Sequence, residues 1–395
     1  MGQSGDILVS REPQFVKFRL LIRASAINGA LIAIILASGA QAVQAGLPDC
    51  KLSDAQVVLG FQGADYDPIF ALYNGEIQAE QGYWDADIKD QEQVFNASGG
   101  TPNVYFAAAM SLSTAYWHEG KYAPAIAAAN TALSTHVDDS LAYTQRAYME
   151  FENVNFGGAI SDATEAIAIN PCQKGAYKTR ALAYRREDLD QQALADEADI
   201  IDIDTDFIAQ QPKTPGSYVA RGLDEDDQGN HDRAIADFSM AISLNPKADI
   251  AFEDRGISYE AEGRYVDDVS DESESVTLNP KNASAWNNLC WGLAVTGDLD
   301  DAMSSCDQAL LLAPRNIHAW DSLGFVDLKM KNYTQAVADY GTGLKIEPEF
   351  ASSLFGRGLA ERNLGNNSAS AYDIAKAEKN DPDVVSEYAT YGFNP

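Results

Sequence analysis

The sequence predicts an all-α solenoid of antiparallel helix pairs, and three features predict it. Prolines recur at 246, 280, 314, 348 and 382, a fixed step of 34 residues. Small residues return at set places within each step, and a glycine returns near its middle. A fixed period in this range marks stacked helical repeats, in which each unit buries its apolar face against its neighbours.

The prolines come first because they set the frame. Four of them close runs ending "SLNP", "TLNP", "LLAP" and "KIEP". Proline disfavours the helical conformation in the residue before it, so each run ends there. Pro171, in "AIAINP", joins the frame once seven residues near 208–214 ("IAQQPKT") are set aside as an insertion. Val137 holds the proline's place one period earlier.

With the proline thirty-second in each unit, the fourth position holds Tyr143, Tyr177, Tyr218, Phe252, Trp286, Trp320 and Leu354. The eighth holds Ser113, Ala147, Ala181, Gly222, Gly256, Cys290, Gly324 and Gly358. The twentieth is mostly alanine, as at Ala125, Ala159, Ala193, Ala234, Ala302 and Ala336, and so is the twenty-seventh, at Ala132, Ala166, Ala241, Ala309 and Ala377. Positions four, seven, eight and eleven share one helical face. Small side chains at eight, twenty and twenty-seven let two helices approach closely, and the ring at four fills the space beside them. A glycine at fifteen (Gly120, Gly229, Gly263, Gly297, Gly365) ends the first helix.

This pattern resembles the tetratricopeptide repeat family over about 106–382. The resemblance implies a right-handed superhelix with a concave groove, and partner binding as the usual role. The expected order is a signal peptide (1–45), an N-terminal segment (46–67), a degenerate repeat (68–101), repeat units (106–207), the insertion (208–214), further units (215–384) and a C-terminal tail (385–395). Two departures stand out. The insertion is expected to lengthen one junction. In "YVDDVSDESESVTLNP", Asp268, Glu272 and Ser275 replace the usual apolar residues, so that helix is expected to be shifted, loosely packed or frayed.

Position seven is arginine in five units: Arg146, Arg180, Arg221, Arg255 and Arg357. Sixteen residues later each has an aspartate: Asp162, Asp196, Asp237, Asp271 and Asp373. Across an antiparallel pair these positions face each other, so they are read as internal ion pairs rather than as a ligand-binding row. Units without the arginine have Leu112 with Ala128, Leu289 with Ser305, and Leu323 with Asp339.

Positions two, five, nine, twelve and thirteen of each first helix should face the groove. The ninth runs Thr114, Tyr148, Leu182, Leu223, Ile257, Trp291, Phe325 and Leu359. That apolar stripe either supports neighbouring helices or takes an extended or helical apolar peptide. Lys178 and Arg185, with Arg186, add a basic spot; Asp226, Glu253 and Glu260 add an acidic run; Asn287 lies further on. The family's carboxylate clamp needs lysines and asparagines at positions five and nine, and Lys178 with Asn287 does not make one. The candidate groove is therefore Tyr148, Lys178, Leu182, Arg185, Leu223, Asp226, Glu253, Ile257, Glu260, Asn287, Trp291, Phe325 and Leu359.

The net charge of −31 argues against nucleic acid or an anionic membrane surface as the main partner, since both repel a polyanion. Arg11, Lys17, Arg19 and Arg23 precede the apolar "ALIAIILA", and "QAVQAG" ends it with small residues where a signal peptidase reads. Cleavage is expected after Ala45, giving a periplasmic or secreted protein; an uncleaved inner-membrane anchor is the rival. Cys290 and Cys306, at positions eight and twenty-four of one unit, are a disulfide candidate or two core thiols. His118, His136, His231 and His318 have no ligand spacing, and "DIDTD" at 202–206 lacks the glycine and the final acid of a calcium loop. No catalytic constellation, metal site or cofactor is expected. The sequence therefore predicts a non-catalytic scaffold of the cell envelope that binds protein or peptide segments, basic or apolar; the alternative is an acidic carrier or sensor for a cation or cationic ligand.

Overall fold

A computed structural model describes residues 102–393. The stretches expected to be a signal peptide (1–45), an N-terminal segment (46–67) and a degenerate repeat (68–101) lie outside the described residues. Contacts divide the described chain into two compact units between Pro212 and Lys213. The division falls within the insertion read from the sequence.

Among the described residues there are helices and no strands. The N-terminal unit holds α1 (Pro102–His118), α2 (Tyr122–Thr135), α3 (Ser140–Glu152), α4 (Phe156–Ile169), α5 (Lys174–Arg186) and α6 (Asp190–Gln210). The C-terminal unit holds α7 (Pro215–Asp227), α8 (His231–Leu244), α9 (Asp249–Ala261), α10 (Tyr265–Leu278), α11 (Ala283–Thr296), α12 (Leu299–Leu312), α13 (Ile317–Lys329), α14 (Tyr333–Ile346), α15 (Ala351–Asn363), α16 (Asn367–Asn380) and the short α17 (Val384–Thr390). Within each unit, successive helices pack as antiparallel pairs and first helices also touch one another, as α3 on α5 and α11 on α13 on α15. Each unit is thus an all-α solenoid of helix pairs.

The small residue at position eight is explained by its neighbour at twenty-four. A Cβ on Gly222 would lie 2.8 Å from the Phe238 ring, and one on Gly324 would lie 2.8 Å from the Tyr340 ring. At position four, the Trp286 and Trp320 indoles reach back to the preceding junction, donating to the Pro280 and Pro314 carbonyls at 3.0 Å. Asparagine caps start α11 and α13: Asn282 accepts from Ser284 and Ala285, and Asn316 from His318 and Ala319.

At the insertion the extra length is helical: α6 continues through 210 and is the longest described helix at 21 residues. The structure corrects one expectation. The acidic helix α10 is neither frayed nor loose. It has the 14-residue length of its counterparts, with Asp268, Glu272 and Ser275 all buried. The carboxylates fit because Gly256 and Gly292 make room: a Cβ on Gly292 would lie 2.5 Å from an Asp268 oxygen. Asn288 also donates to Glu272 at 2.9 Å.

Position fifteen is left-handed in every described unit. Five units use glycine, and Val154 (φ 61), Asp188 (φ 56) and Lys331 (φ 64) adopt the same conformation. A β-branched residue is strained there. Val154 is 73% exposed, so its side chain contributes little packing. Val154→Gly is expected to raise stability by about 1 kcal/mol. A lower urea midpoint for the glycine variant would contradict this.

Candidate binding groove

The arginine ladder fixes the register of the first helices. All five arginines fork onto their own aspartates; Arg221, for example, donates from Nε and Nη2 to Asp237 at 2.7 Å each. The same bidentate geometry holds at Arg146–Asp162, Arg180–Asp196, Arg255–Asp271 and Arg357–Asp373. In three units the remaining Nη1 reaches the second helix of the preceding unit: Arg146 to Asn130 (2.6 Å), Arg180 to Thr164 (3.1 Å) and Arg255 to Ser239 (2.9 Å). These side chains are occupied inside the stack rather than offered to a ligand.

Asp339 keeps the ladder's acid opposite Leu323. Gln335 donates to it, and burial with a hydrogen bond to Asp327 pushes its carboxyl up to about 7. Asp307 adds further repulsion. An acid with a raised pKa stabilises the fold below its unfolded pKa, and that contribution is lost as pH rises through the folded value. Melting temperature is therefore expected to fall between about pH 4 and 8. Leu323→Arg should shrink that slope by giving Asp339 a cation; an unchanged pH dependence would count against this account.

The candidate groove residues fall into three groups. Lys178, Leu182 and Arg185 are exposed on α5, with Leu182 at 45%. Arg185 forks onto Glu197 of the same helix pair. Tyr148, Leu223, Glu253, Ile257 and Glu260 are half-buried. Burial first, then Glu152, pushes the Tyr148 hydroxyl up to about 12, and Trp117 meets its ring edge-on at 5.5 Å. Glu253 accepts from Asn282 at 2.7 Å. The third group, Asp226, Asn287, Trp291, Phe325 and Leu359, is buried.

The third group is turned into the packing between helices, one of the two roles the sequence left open for the apolar stripe. Asp226 accepts from Ser258 at 2.6 Å and lies 2.9 Å from His231 Nδ1, so it joins α7, α8 and α9 instead of facing solvent. Asn287 accepts from Ser322 of α13. Trp291 and Phe325, whose rings are 4.8 Å apart, are covered by the segment after α16. Tyr391 stands edge-on to Trp291 at 5.2 Å and to Phe325 at 5.5 Å. Tyr388 and Phe393 meet Phe325 at 5.9 and 5.8 Å, and Tyr388 meets Phe355 at 4.8 Å.

Tyr388 is the deepest of these contacts. Its hydroxyl donates to the Ser352 carbonyl at 3.1 Å and lies 3.3 Å from the Tyr340 hydroxyl. Asp321 sits beneath, accepting from Ser352 and Ser353 at 2.7 Å each, and burial raises it to about 6 against those two bonds. Sequence reading passed over Tyr388, Tyr391 and Phe393. Their signal was the spacing in "EYATYGF", which follows the last frame proline and so fell outside the period. Cys290 and Cys306 are joined, with Cα atoms 5.2 Å apart, at the place where other units set a small residue against a ring. Among the described residues no three His, Cys, Asp or Glu side chains are grouped to hold a metal ion.

A family model described as tetratricopeptide repeat matches residues 219–283 and 326–384. Over these stretches the chain carries tetratricopeptide repeats. The two matched stretches lie in the C-terminal unit, where small residue, turn glycine and proline follow the period most closely. Solved structures of this family resemble parts of the chain. MamA is 20% identical, covers 47% of this chain and 99% of its own, and has a TM-score of 0.39. A tetratricopeptide repeat protein from Parabacteroides merdae is 18% identical, covers 66% and 98%, and has a TM-score of 0.45. YrrB, described as a TPR protein with an unusual peptide-binding site, is 16% identical, covers 48% and 98%, and has a TM-score of 0.39. No curated protein matches the sequence.

Proposed function

We propose that the chain is a non-catalytic scaffold of the cell envelope that takes segments of partner proteins on the faces of its first helices. One observation carries the reading: first helices α11, α13 and α15 already enclose an aromatic peptide segment, the chain's own residues 388–393. A surface that packs three aromatic side chains of one segment has the chemistry that peptide recognition uses. The exposed Leu182, Lys178 and Arg185 on α5 would contribute a separate contact on the N-terminal unit, and Leu223, Ile257 and Glu260 another on α7 and α9.

Export rests on the basic and apolar run before Ala45, and the joined Cys290–Cys306 pair suits an oxidising compartment. Among the described residues no helix is long and apolar enough to cross a membrane. The deciding experiment is affinity purification from the envelope fraction, with mass spectrometry of the chain and of what co-elutes. A mature N-terminus at Gly46, and partners lost on Leu182→Asp or Ile257→Asp, are expected. A chain retaining residues 1–45 in the cytosol, or partners held equally by both variants, would overturn the proposal.

A further inference from the structure

We propose that a disulfide between Cys50 and Cys172 pins residues 51–67 across the first-helix face of the N-terminal unit, so that the chain itself occupies that part of its groove. The bridge and the strap stand apart from the groove-binding reading above. Only their consequence, that a partner competes with the strap for this face, rests on it.

The covalent half follows from the cysteines, of which the chain has four. Cys290 and Cys306 are bonded to each other, and Cys172 is disulfide-bonded as well. The one cysteine left within the chain to meet it is Cys50. Cys172 stands in the turn that opens α5. Its N–H donates to Asn170 Oδ1 at 3.0 Å, and it packs beside Tyr177, Ile200 and Ile203. Cleavage after Ala45 would leave Cys50 near the mature N-terminus, in the same oxidising compartment as Cys172. The bridge forms by thiol–disulfide exchange: the two thiols give up two protons and two electrons to a disulfide oxidant, which leaves as a dithiol.

The path follows from the two anchors. First helices run parallel, so Cys172 at the start of α5 and Pro102 at the start of α1 lie on the same edge of the unit. Helix α3 lies between them, packed on α5 and tied to α1 through Gln145, which donates to Thr114 at 2.7 Å. Three adjacent first helices span roughly 20 Å, whereas residues 51–67 reach about 56 Å when extended, at ~3.3 Å each. The crossing thus needs none of residues 68–101, which stay available for the repeat expected there.

The seat follows from complementary chemistry. On this face Leu141 and Leu182 are each 45% exposed. Lys178 and Arg186 lie one turn before and one turn after Leu182 on the same side of α5. An apolar patch with a basic rim stands out on a chain of net charge −31. Residues 51–67 read "KLSDAQVVLGFQGADYD", with an apolar centre, "VVLGF", and with Asp54, Asp65 and Asp67 against the single Lys51. The apolar centre suits the leucines, and the acidic flanks suit the lysine and arginine. The bridge holds the strap at high effective concentration, so a partner using Leu182 must outcompete a tethered segment.

The test uses the full chain, exported and purified without reductant. After thiol blocking and tryptic digestion, the peptide ending at Lys51 should be found joined to the one running from 147 to 174, and the pair should separate on reduction. The other bridge stays inside the single peptide 282–315, so the two are told apart. Hydroxyl-radical labelling then reads the strap. Leu141 and Leu182 should lose protection in a Cys50→Ser chain, and also in a chain carrying Asp65→Lys with Asp67→Lys, which keeps the bridge. Leu311 on α12, 75% exposed, should be labelled equally in all three and so report intact repeats. Should Cys50→Ser alter Leu311, the double-lysine chain alone decides. Cys50 and Cys172 both recovered blocked, Cys172 joined to the Cys172 of a second copy, or Leu182 labelling unchanged in the double-lysine chain would each overturn the proposal. Envelope partners absent from a chain that passes both arms would remove the scaffold reading and leave the bridge and strap standing.

Discussion

Arg255→Leu is expected to destabilise the C-terminal unit by about 3–5 kcal/mol, the range for removing one partner of a buried ion pair. The guanidinium makes two bonds to Asp271, a third to Ser239, and lies 5.7 Å from the centres of the Phe252 and Tyr259 rings. Its hydrogen bond to Asp271 raises its pKa further, so the cation is fixed at any working pH. Leucine would leave Asp271 buried with no counter-charge. Adding Asp271→Ser should recover at least half of the loss, because the unit at 283–316 already places Leu289 against Ser305 in the same two positions. Urea unfolding of the wild type, both single variants and the double variant closes the cycle. Additive single effects would show that the pair does not act as a unit.

Tyr340→Ala should destabilise by a similar amount, about 3–5 kcal/mol, through loss of a fully buried ring and the cavity left behind. The ring closes against Gly324, and its hydroxyl meets Tyr388. Gly324→Ala alone should destabilise by about 1–3 kcal/mol, because the added methyl meets the ring at 2.8 Å with little room to shift. In the Tyr340→Ala background the same change should become neutral or stabilising, as alanine is then merely the better helix former. The reversal of sign is the expected result, and a Gly324→Ala effect equal in both backgrounds would refute the contact as its cause.

Much of this fold was legible because the repeat writes each spatial relation several times. The arginine–aspartate spacing of sixteen recurs in five units, and the packing of position eight on position twenty-four recurs from Gly222 to Gly358. Periodicity could not reveal what occurs once. Helix α10 looked unfavourable from Asp268 and Glu272 alone; the glycines that admit them, Gly256 and Gly292, lie on other helices. The third bond of the Arg146, Arg180 and Arg255 guanidiniums was missed because it crosses from one unit to the one before. Most of all, the stripe at position nine looked continuous, yet the rings that cover Trp291 and Phe325 come from a segment outside the period. A pattern of solvent-facing positions assumes nothing folds back over them, and Tyr388, Tyr391 and Phe393 do.

The backward bond from Arg146, Arg180 and Arg255 has a consequence for how such an array can be edited. Each of these arginines needs a small acceptor twenty-five places into the unit before it, met by Asn130, Thr164 and Ser239. The units are therefore not interchangeable bricks, since these three carry a plug matched to the socket of the predecessor. Excising 249–282 whole would set the Ser239 socket against Leu289, which has no plug, although every pair inside the surviving units would be intact. Duplicating or shuffling units thus has a grammar, and a recombined array would join well only where plug follows socket.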